Sequence, residues 1–395
     1  MAGVSVPGFK FAGVACGIKK SKRKDLALIV SDRPAVAAAL FTSSRVKAAP
    51  VIVGMRRIRG GRLQAVVINS GNANACTGAP GLRDAEVMCR ETGVSLGINP
   101  ELVLPSSTGI IGVRLPLANI RRGIQRAASR LSRAGFMQAA EAILTTDRFV
   151  KTATARCVLG KKSVQVVGMA KGAGMIAPQL ATMLAYVFTD AAIELNCLRS
   201  ILRSGADQTF NCVTVDGDMS TNDTIVLMGN GFAGNARVRS GSRDAAVLDH
   251  AVFEVMKKLA LKLVEDGEGA TKIVEIRVKG ASSLTAAKKV GFSVAQSQLV
   301  KTAFFGEDPN FGRIMAAIGY AGVPVNPEKI DVSFNGVTVV RHGVGMALKE
   351  RAAARILGRS SFRVEIRLGQ GKKAASVWTS DLSHDYVRIN SAYRT

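Results

Sequence analysis

The sequence predicts an α/β chain of the layered α+β sandwich kind and not a doubly wound sheet. Three observations carry that expectation. Strand-length apolar runs alternate with helix-length stretches along all 395 residues. The alternation keeps no strict strand–helix–strand period, which a doubly wound parallel sheet requires. Composition is that of a folded protein, with 47% apolar residues, 21% charged residues and 40 glycines spread without a low-complexity tract. A chain of this length supports one large core or two to three ordinary domains. No repeat and no linker marks a boundary. A break in the loop at residues 176–181 is the one that would divide the chain into halves of similar size.

In chain order, residues 26–30, 37–41 and 63–68 are short apolar runs that read as strands. Residues 84–92 and 116–133 read as helices, the second continuing in a helical stretch at 135–144. Residues 164–167 alternate and lead into the central loop, after which the apolar run 183–188 reads as a buried strand. Thr189 and Asp190 supply capping oxygens for a helix through Leu202. Residues 224–228 form a strand and 244–264 the longest predicted helix. Strands at 273–278, 329–334 and 362–368 then alternate with helices at 311–319 and 343–357. The polar, charged tail 386–395 reads by itself as a frayed terminus.

Several function classes are disfavoured by composition. No apolar run reaches the roughly 18–20 residues of a membrane span. The first ten residues lack a basic region followed by an apolar stretch, so no secretory signal is expected. The cysteines (16, 76, 89, 157, 197 and 212) form no CxxC pair, which fits reduced thiols in a cytoplasmic protein. The three histidines (250, 342 and 384) have no metal-ligand spacing, so no metal is expected, and they serve a Ser-His-Asp triad poorly. Net charge is +25, of which +19 falls in residues 1–181. The cations are thinly spread and aromatics are 5%, so neither nucleic acid nor membrane is an expected partner. A field that draws anionic substrates is the milder consequence.

The most informative stretch is Lys171-Gly-Ala-Gly-Met-Ile-Ala-Pro-Gln-Leu-Ala-Thr-Met-Leu184. Its glycines and proline hold the backbone in a non-repetitive shape, and a β-branched hydroxyl residue, Thr182, stands at the mouth of the buried strand. Such a threonine is a candidate nucleophile, more so if the chain is cut before it, because the freed α-amine then serves as its base. Two glycine patterns are decoys. Gly172-x-Gly-x-x-Ala177 runs into Pro178, and Gly229-x-Gly-x-x-Gly234 is followed by loop, so neither offers phosphate a helix N-terminus. Leu104-Pro-Ser-Ser-Thr-Gly-Ile-Ile-Gly112 sets a hydroxyl beside an unhindered N–H at Thr108 and Gly109, the two donors of an oxyanion hole, although an ordinary Ser/Thr turn has the same composition. Residues 69–78, 144–147, 211–218 and 264–272, taken singly, pass as structural turns or helix ends.

Taken together and in this order, these segments resemble the ornithine acetyltransferase (glutamate N-acetyltransferase) family of arginine biosynthesis, from Gly13 to the last residue. The carrying motifs are residues 69–78, 107–112, 145–147, 168–178 with 181–184, 215–218 with 220–224, 266–272, 306–313 and 386–395. That resemblance implies a self-processing enzyme of the N-terminal-nucleophile type, cut between Ala181 and Thr182. Residues 1–181 would be an α chain and 182–395 a β chain that stays associated with it, usually as α2β2. Thr182 would be the nucleophile, and Thr108 and Gly109 the oxyanion hole. Thr145 (or its neighbour Thr146), Lys171, Thr182, Glu268, Asn390 and Thr395 would bind substrate. No cofactor is implied. The small-molecule substrates would be N-acetylornithine and glutamate, with acetyl-CoA as a further donor in some members. A related self-processing amidase or aminopeptidase, passing the acyl group to water, is the alternative enzyme. The tail would then be ordered over the site, contrary to its reading as a frayed end.

Overall fold

The computed structural model describes residues 5–177, 183–346 and 349–392. Fourteen strands in the described residues form two sheets. The first holds β1 (Phe9–Val14), β2 (Leu26–Phe41), β3 (Arg62–Asn72), β4 (Val103–Ile110), β5 (Lys151–Leu159), β6 (Lys162–Lys171), β7 (Leu184–Thr189) and β8 (Thr224–Gly229), in the order β4-β3-β2-β8-β7-β6-β5 with β1 also on β2. The second holds β9 (Ile273–Ala281), β10 (Asp331–Phe334), β11 (Val337–Arg341), β12 (Val344–Gly345), β13 (Ser361–Arg367) and β14 (Lys373–Ser380), in the order β12-β11-β10-β13-β9-β14.

The runs at 26–30 and 37–41 belong to one 16-residue strand and not to two. An irregularity between Val30 and Ala35, where Pro34 removes a backbone donor, lets β2 change partners. On one edge it pairs with β3 as far as Val36, and on the other with β1 and then, over Val36 to Phe41, with β8. The sheet thereby folds over itself. Phe9 and Phe11 of β1 meet Phe188 of β7 at centroid distances of 5.1 and 5.4 Å. Both halves bury their facing side chains, among them Ile29, Ile68, Met169 and Tyr186, in one core. Helices Leu195–Gln208 and Arg243–Glu265 cover one outer face with a second core. Helices Ala49–Arg57, Gly78–Leu96 and Leu117–Ser129 cover the other. The layers therefore run helix, sheet, sheet, helix, the layered sandwich expected from the sequence. The second sheet packs helices such as Leu284–Gln296 and Phe311–Gly319 over a separate core.

Four local expectations are corrected. Asp190 caps no helix, because its carboxylate accepts the Gln165 N–H at 2.8 Å and the helix begins only at Leu195. Residues 343–357 are not one helix. His342 and Gly343 both adopt positive φ (+49° and +77°), the turn that folds β11 back on β12, and the helix is confined to Glu350–Leu357. Residues 103–110 are strand β4 and not a Ser/Thr turn. The described part of the tail is helical over His384–Ala392 and not frayed.

The strands on the two sides of the central loop are interleaved. β7 lies between β6, which precedes the loop, and β8, with Leu184 registered against both Lys171 and Thr224. A backbone cut in the loop therefore leaves both pieces held by the ladders of one sheet.

Candidate active site

The end of β4 and the strand beside it form the first wall of a cavity of about 250 Å³. Gly109 sits at φ +131°, and a Cβ there would lie 2.3 Å from the Gly71 carbonyl carbon. Only glycine fits there. Thr108, 7% exposed, precedes it. The strand end is fixed from behind. Ser107 donates its hydroxyl to Asn69 Oδ1 at 2.6 Å, and Asn222 Nδ2 donates to the carbonyls of Ser107 and Ala73 at 2.8 and 2.7 Å.

Lys171, the last residue of β6 and 3% exposed, joins this wall to the next. Its Nζ donates to Thr145 Oγ1 at 2.6 Å and to Thr108 Oγ1 at 3.2 Å. An ammonium carries three protons, so among the described residues one donor remains for a ligand. Each threonine, being the acceptor, keeps its own hydroxyl proton to donate elsewhere. Burial pulls the Lys171 pKa down, and the charge of Asp147 works against that pull. Asp147 in turn accepts the N–H of Gly172 at 2.7 Å, the N–H of Thr145 at 2.8 Å and Lys151 Nζ at 2.6 Å. Its own burial opposes ionisation, yet Lys171 and Lys151 hold the carboxyl at about 2. Lys151 also reaches Asp266, whose carboxylate takes the Arg148 N–H at 3.0 Å. The Leu144 carbonyl accepts Lys19 Nζ at 2.6 Å, which sets the entry to Thr145.

The loop after Lys171 is pinned by Asp216. Met175 and Ile176 donate their N–H groups to its two oxygens at 2.7 and 2.9 Å. Burial raises the Asp216 pKa to about 6 despite those donors. Where the chain is described again, Met183 donates its N–H to Asp223 Oδ1 at 2.9 Å. The other oxygen of that buried carboxylate has no partner among the described residues, and burial pushes its pKa well up.

The last wall comes from residues 266–269 and the C-terminal helix. Glu268 donates its N–H to the Ala173 carbonyl at 2.9 Å. A Cβ on Gly174 would stand 2.5 Å from Glu268 Oε2, so the glycine leaves room for that carboxylate. Tyr386 and Asn390, four residues apart, lie on one face of helix His384–Ala392. Tyr386 donates its hydroxyl to Asp216 Oδ2 at 3.4 Å, and Asn390 Nδ2 donates to Glu268 Oε2 at 2.9 Å.

Of the residues expected from the sequence, Thr108, Gly109, Thr145, Lys171, Glu268 and Asn390 all line this cavity. Thr146 lines it too, but Thr145 is the one bound to Lys171. Ala181, Thr182 and Thr395 lie outside the described residues. Asp216, Asp218, Asn222 and Tyr386 also line it, although the sequence singled them out for no role. The available signal was Asp216-Gly-Asp218, a turn with more carboxylate than a surface bend needs. Chemically, the cavity combines a buried ammonium, hydroxyl and N–H donors side by side, and carboxylates on another wall.

A family model described as the ArgJ family matches residues 10–395. The chain belongs to the ArgJ family. It is 47% identical over 396 residues to the arginine biosynthesis bifunctional protein ArgJ of Symbiobacterium thermophilum, covering all of this chain and 98% of that one. It is 48% identical to the protein of the same name from Geobacter sulfurreducens, covering 99% of this chain and all of that one. The crystal structure of arginine biosynthesis bifunctional protein argJ from Bacillus halodurans superposes with a TM-score of 0.51 at 38% identity. That match takes in 53% of this chain and 98% of the solved one. In this member of the ArgJ family the matched region includes every described wall of the cavity.

Proposed function

We propose that the chain is an acetyltransferase of arginine biosynthesis that moves the acetyl group of N-acetylornithine to glutamate through an acetyl-threonine at Thr182. The carrying observation is the convergence of Thr108, Gly109, Thr145, Lys171, Glu268 and Asn390, drawn from distant parts of the sequence, on one cavity. The Thr182 hydroxyl attacks the acetyl carbonyl and its proton passes to the α-amine of the same residue. The oxyanion is met by the Thr108 hydroxyl and the Gly109 N–H, the first of which Lys171 orients by occupying its acceptor side. Collapse expels the α-amine of ornithine, which takes up the proton. The α-amine of glutamate then attacks the acetyl ester, N-acetylglutamate leaves and the hydroxyl is restored. The third proton of Lys171 serves the substrate carboxylate, and Glu268 an ammonium.

Thr182 gains its free amine by self-cleavage after Ala181, and the resulting chains, 1–181 and 182–395, stay together because β7 is laddered to β6. Assembly as α2β2, residence in the cytoplasm and independence of any cofactor complete the proposal. Because the relatives are named bifunctional proteins, acetyl-CoA is tested as a second donor.

Intact-mass analysis of the purified protein, followed by assays with each donor, tests this. Two copurifying fragments that meet at Thr182 are expected, with product that depends on glutamate. Thr182→Ala is expected to give one uncut chain without transfer. Cleavage of that variant at the same bond overturns the assignment of the nucleophile. Acetate release without need of glutamate makes the enzyme an amidase instead.

A further inference from the structure

Three carboxylates line the cavity, and they differ in what already occupies them. Asp216 accepts two donors at each oxygen. Ile176 N–H (2.9 Å) and Asp218 N–H (3.2 Å) meet Oδ1, and Met175 N–H (2.7 Å) and the Tyr386 hydroxyl (3.4 Å) meet Oδ2. A carboxylate has about four lone-pair positions, so Asp216 is filled and acts as an anchor. Glu268 holds Asn390 on Oε2. Asp218 has no hydrogen bond or ion pair at its carboxylate among the described residues, yet it stands in the same wall. Its backbone is set by the Asp216 acceptor and by Gly217 at φ +81°, a turn that L side chains rarely adopt.

We propose that Asp218 is a specificity-determining residue that receives the side-chain ammonium of the acetyl donor, with Asp216 and Tyr386 as the residues that position it. The inference rests on the acetyl-transfer reading above. A donor whose α-nitrogen is acetylated keeps one positive charge, on its side chain, and one negative charge, on its α-carboxylate. Lys171 complements the carboxylate. The ammonium needs acceptors that are not already spent, and Asp218 supplies two oxygens while Glu268 keeps its second. The acceptor amino acid carries a carboxylate on its side chain, so the same group opposes it. Asp218 therefore favours donor over acceptor in the free enzyme.

Asp218→Asn is the test, because the side chain is exposed and makes no hydrogen bond that the substitution would break. Initial rates with N-acetylornithine and glutamate are compared with rates on N-acetylnorvaline, which has the same carbon chain without the amine. The KM for N-acetylornithine is expected to rise about five- to tenfold, the size of one charge-assisted contact at a water-facing rim. The KM for glutamate is expected to stay level or fall. The preference for N-acetylornithine over N-acetylnorvaline is expected to shrink by the same factor, which a structural role at position 218 would not produce. An unchanged preference, or equal rises in both KM values, overturns the proposal. Tyr386→Phe provides a second reading of the positioning role, with a smaller loss of the same preference expected and an unchanged preference counting against that role. Should the unaltered enzyme give no glutamate-dependent product, the acetyl-transfer reading itself fails, and that result is distinct from an active enzyme indifferent to Asp218.

Discussion

The two sides of the cavity are built differently. Thr108, Lys171 and Asp147 are each at least nine-tenths buried and tied into the eight-stranded sheet and the segment beside it by short hydrogen bonds. Glu268 and Tyr386 are half-buried and Asp218 and Asn390 exposed, carried by loops and by the C-terminal helix. Groups that stabilise a developing charge lose their value if they must reorganise, so they are fixed in a dry interior. Groups that admit, read and release a charged substrate must exchange with water, so a softer rim serves them. On the proposed function, chemistry belongs to the buried wall and recognition to the rim.

Removing a donor from the buried wall breaks the comparison most severely. Thr108→Ala is expected to lower kcat by about 10²–10³, as for one oxyanion donor, with much less change in KM. Self-cleavage, read by intact mass, is expected to slow as well if the same hydroxyl faces the Ala181 carbonyl. Normal turnover in this variant would reduce Ser107-Thr-Gly109 to a strand end without a catalytic part.

Removing the rim gives a smaller and different effect. A chain ending at Val387 keeps Tyr386 and loses Asn390 and the rest of its helix. Folding and self-cleavage are expected to persist, because the cores lie elsewhere and the tail holds no group of the buried wall. Acetyl transfer is expected to fall at least tenfold, mostly in KM, since the substrate is no longer held in line with the nucleophile. Full transfer by the shortened enzyme would take Asn390 and Thr395 out of the site.

The same division governs what could be read from the sequence. Apolar runs announced β3, β7 and β8, because buried strands have a continuous signal, and helix Arg243–Glu265 announced itself by length. β4 was missed as a strand because its Pro105-Ser-Ser-Thr-Gly109 composition is that of a turn, and it is strand only because β3 supplies the parallel partner. Thr108 and Lys171 of the buried wall were picked out once several motifs were read in order, and they line one cavity. The anchoring roles of Asp147 and Asp216 were not, since each acts on at least one backbone N–H far along the chain, 25 and about 40 residues away. Composition marked the tail as frayed, whereas Ser383 donating to the Gly269 carbonyl at 2.6 Å and Asn390 on Glu268 hold it in place.

Asp216 lies where the two sides meet, and its titration gives the finest test of the comparison. Its pKa is raised to about 6 because burial outweighs the donors around it, whereas an unfolded aspartate titrates near 4. Between those values the native state binds more protons at this group than the unfolded chain does. Its contribution to stability is therefore full below about pH 4 and is lost as pH rises through about 6. Asp147 has the opposite sign, with a contribution present above about pH 4 and lost as pH falls through about 2. Asp216→Asn removes only the first trend. Measured by denaturant unfolding, the difference between variant and unaltered protein is expected to shift by about 1–2 kcal/mol in favour of the variant from pH 4 to pH 6.5. Parallel stability curves across that window would mean that Asp216 titrates as an ordinary surface carboxylate. The loop at Met175 and Ile176 would then be held by a group as wet as the rim, and the boundary between the two sides would have to be drawn nearer Lys171.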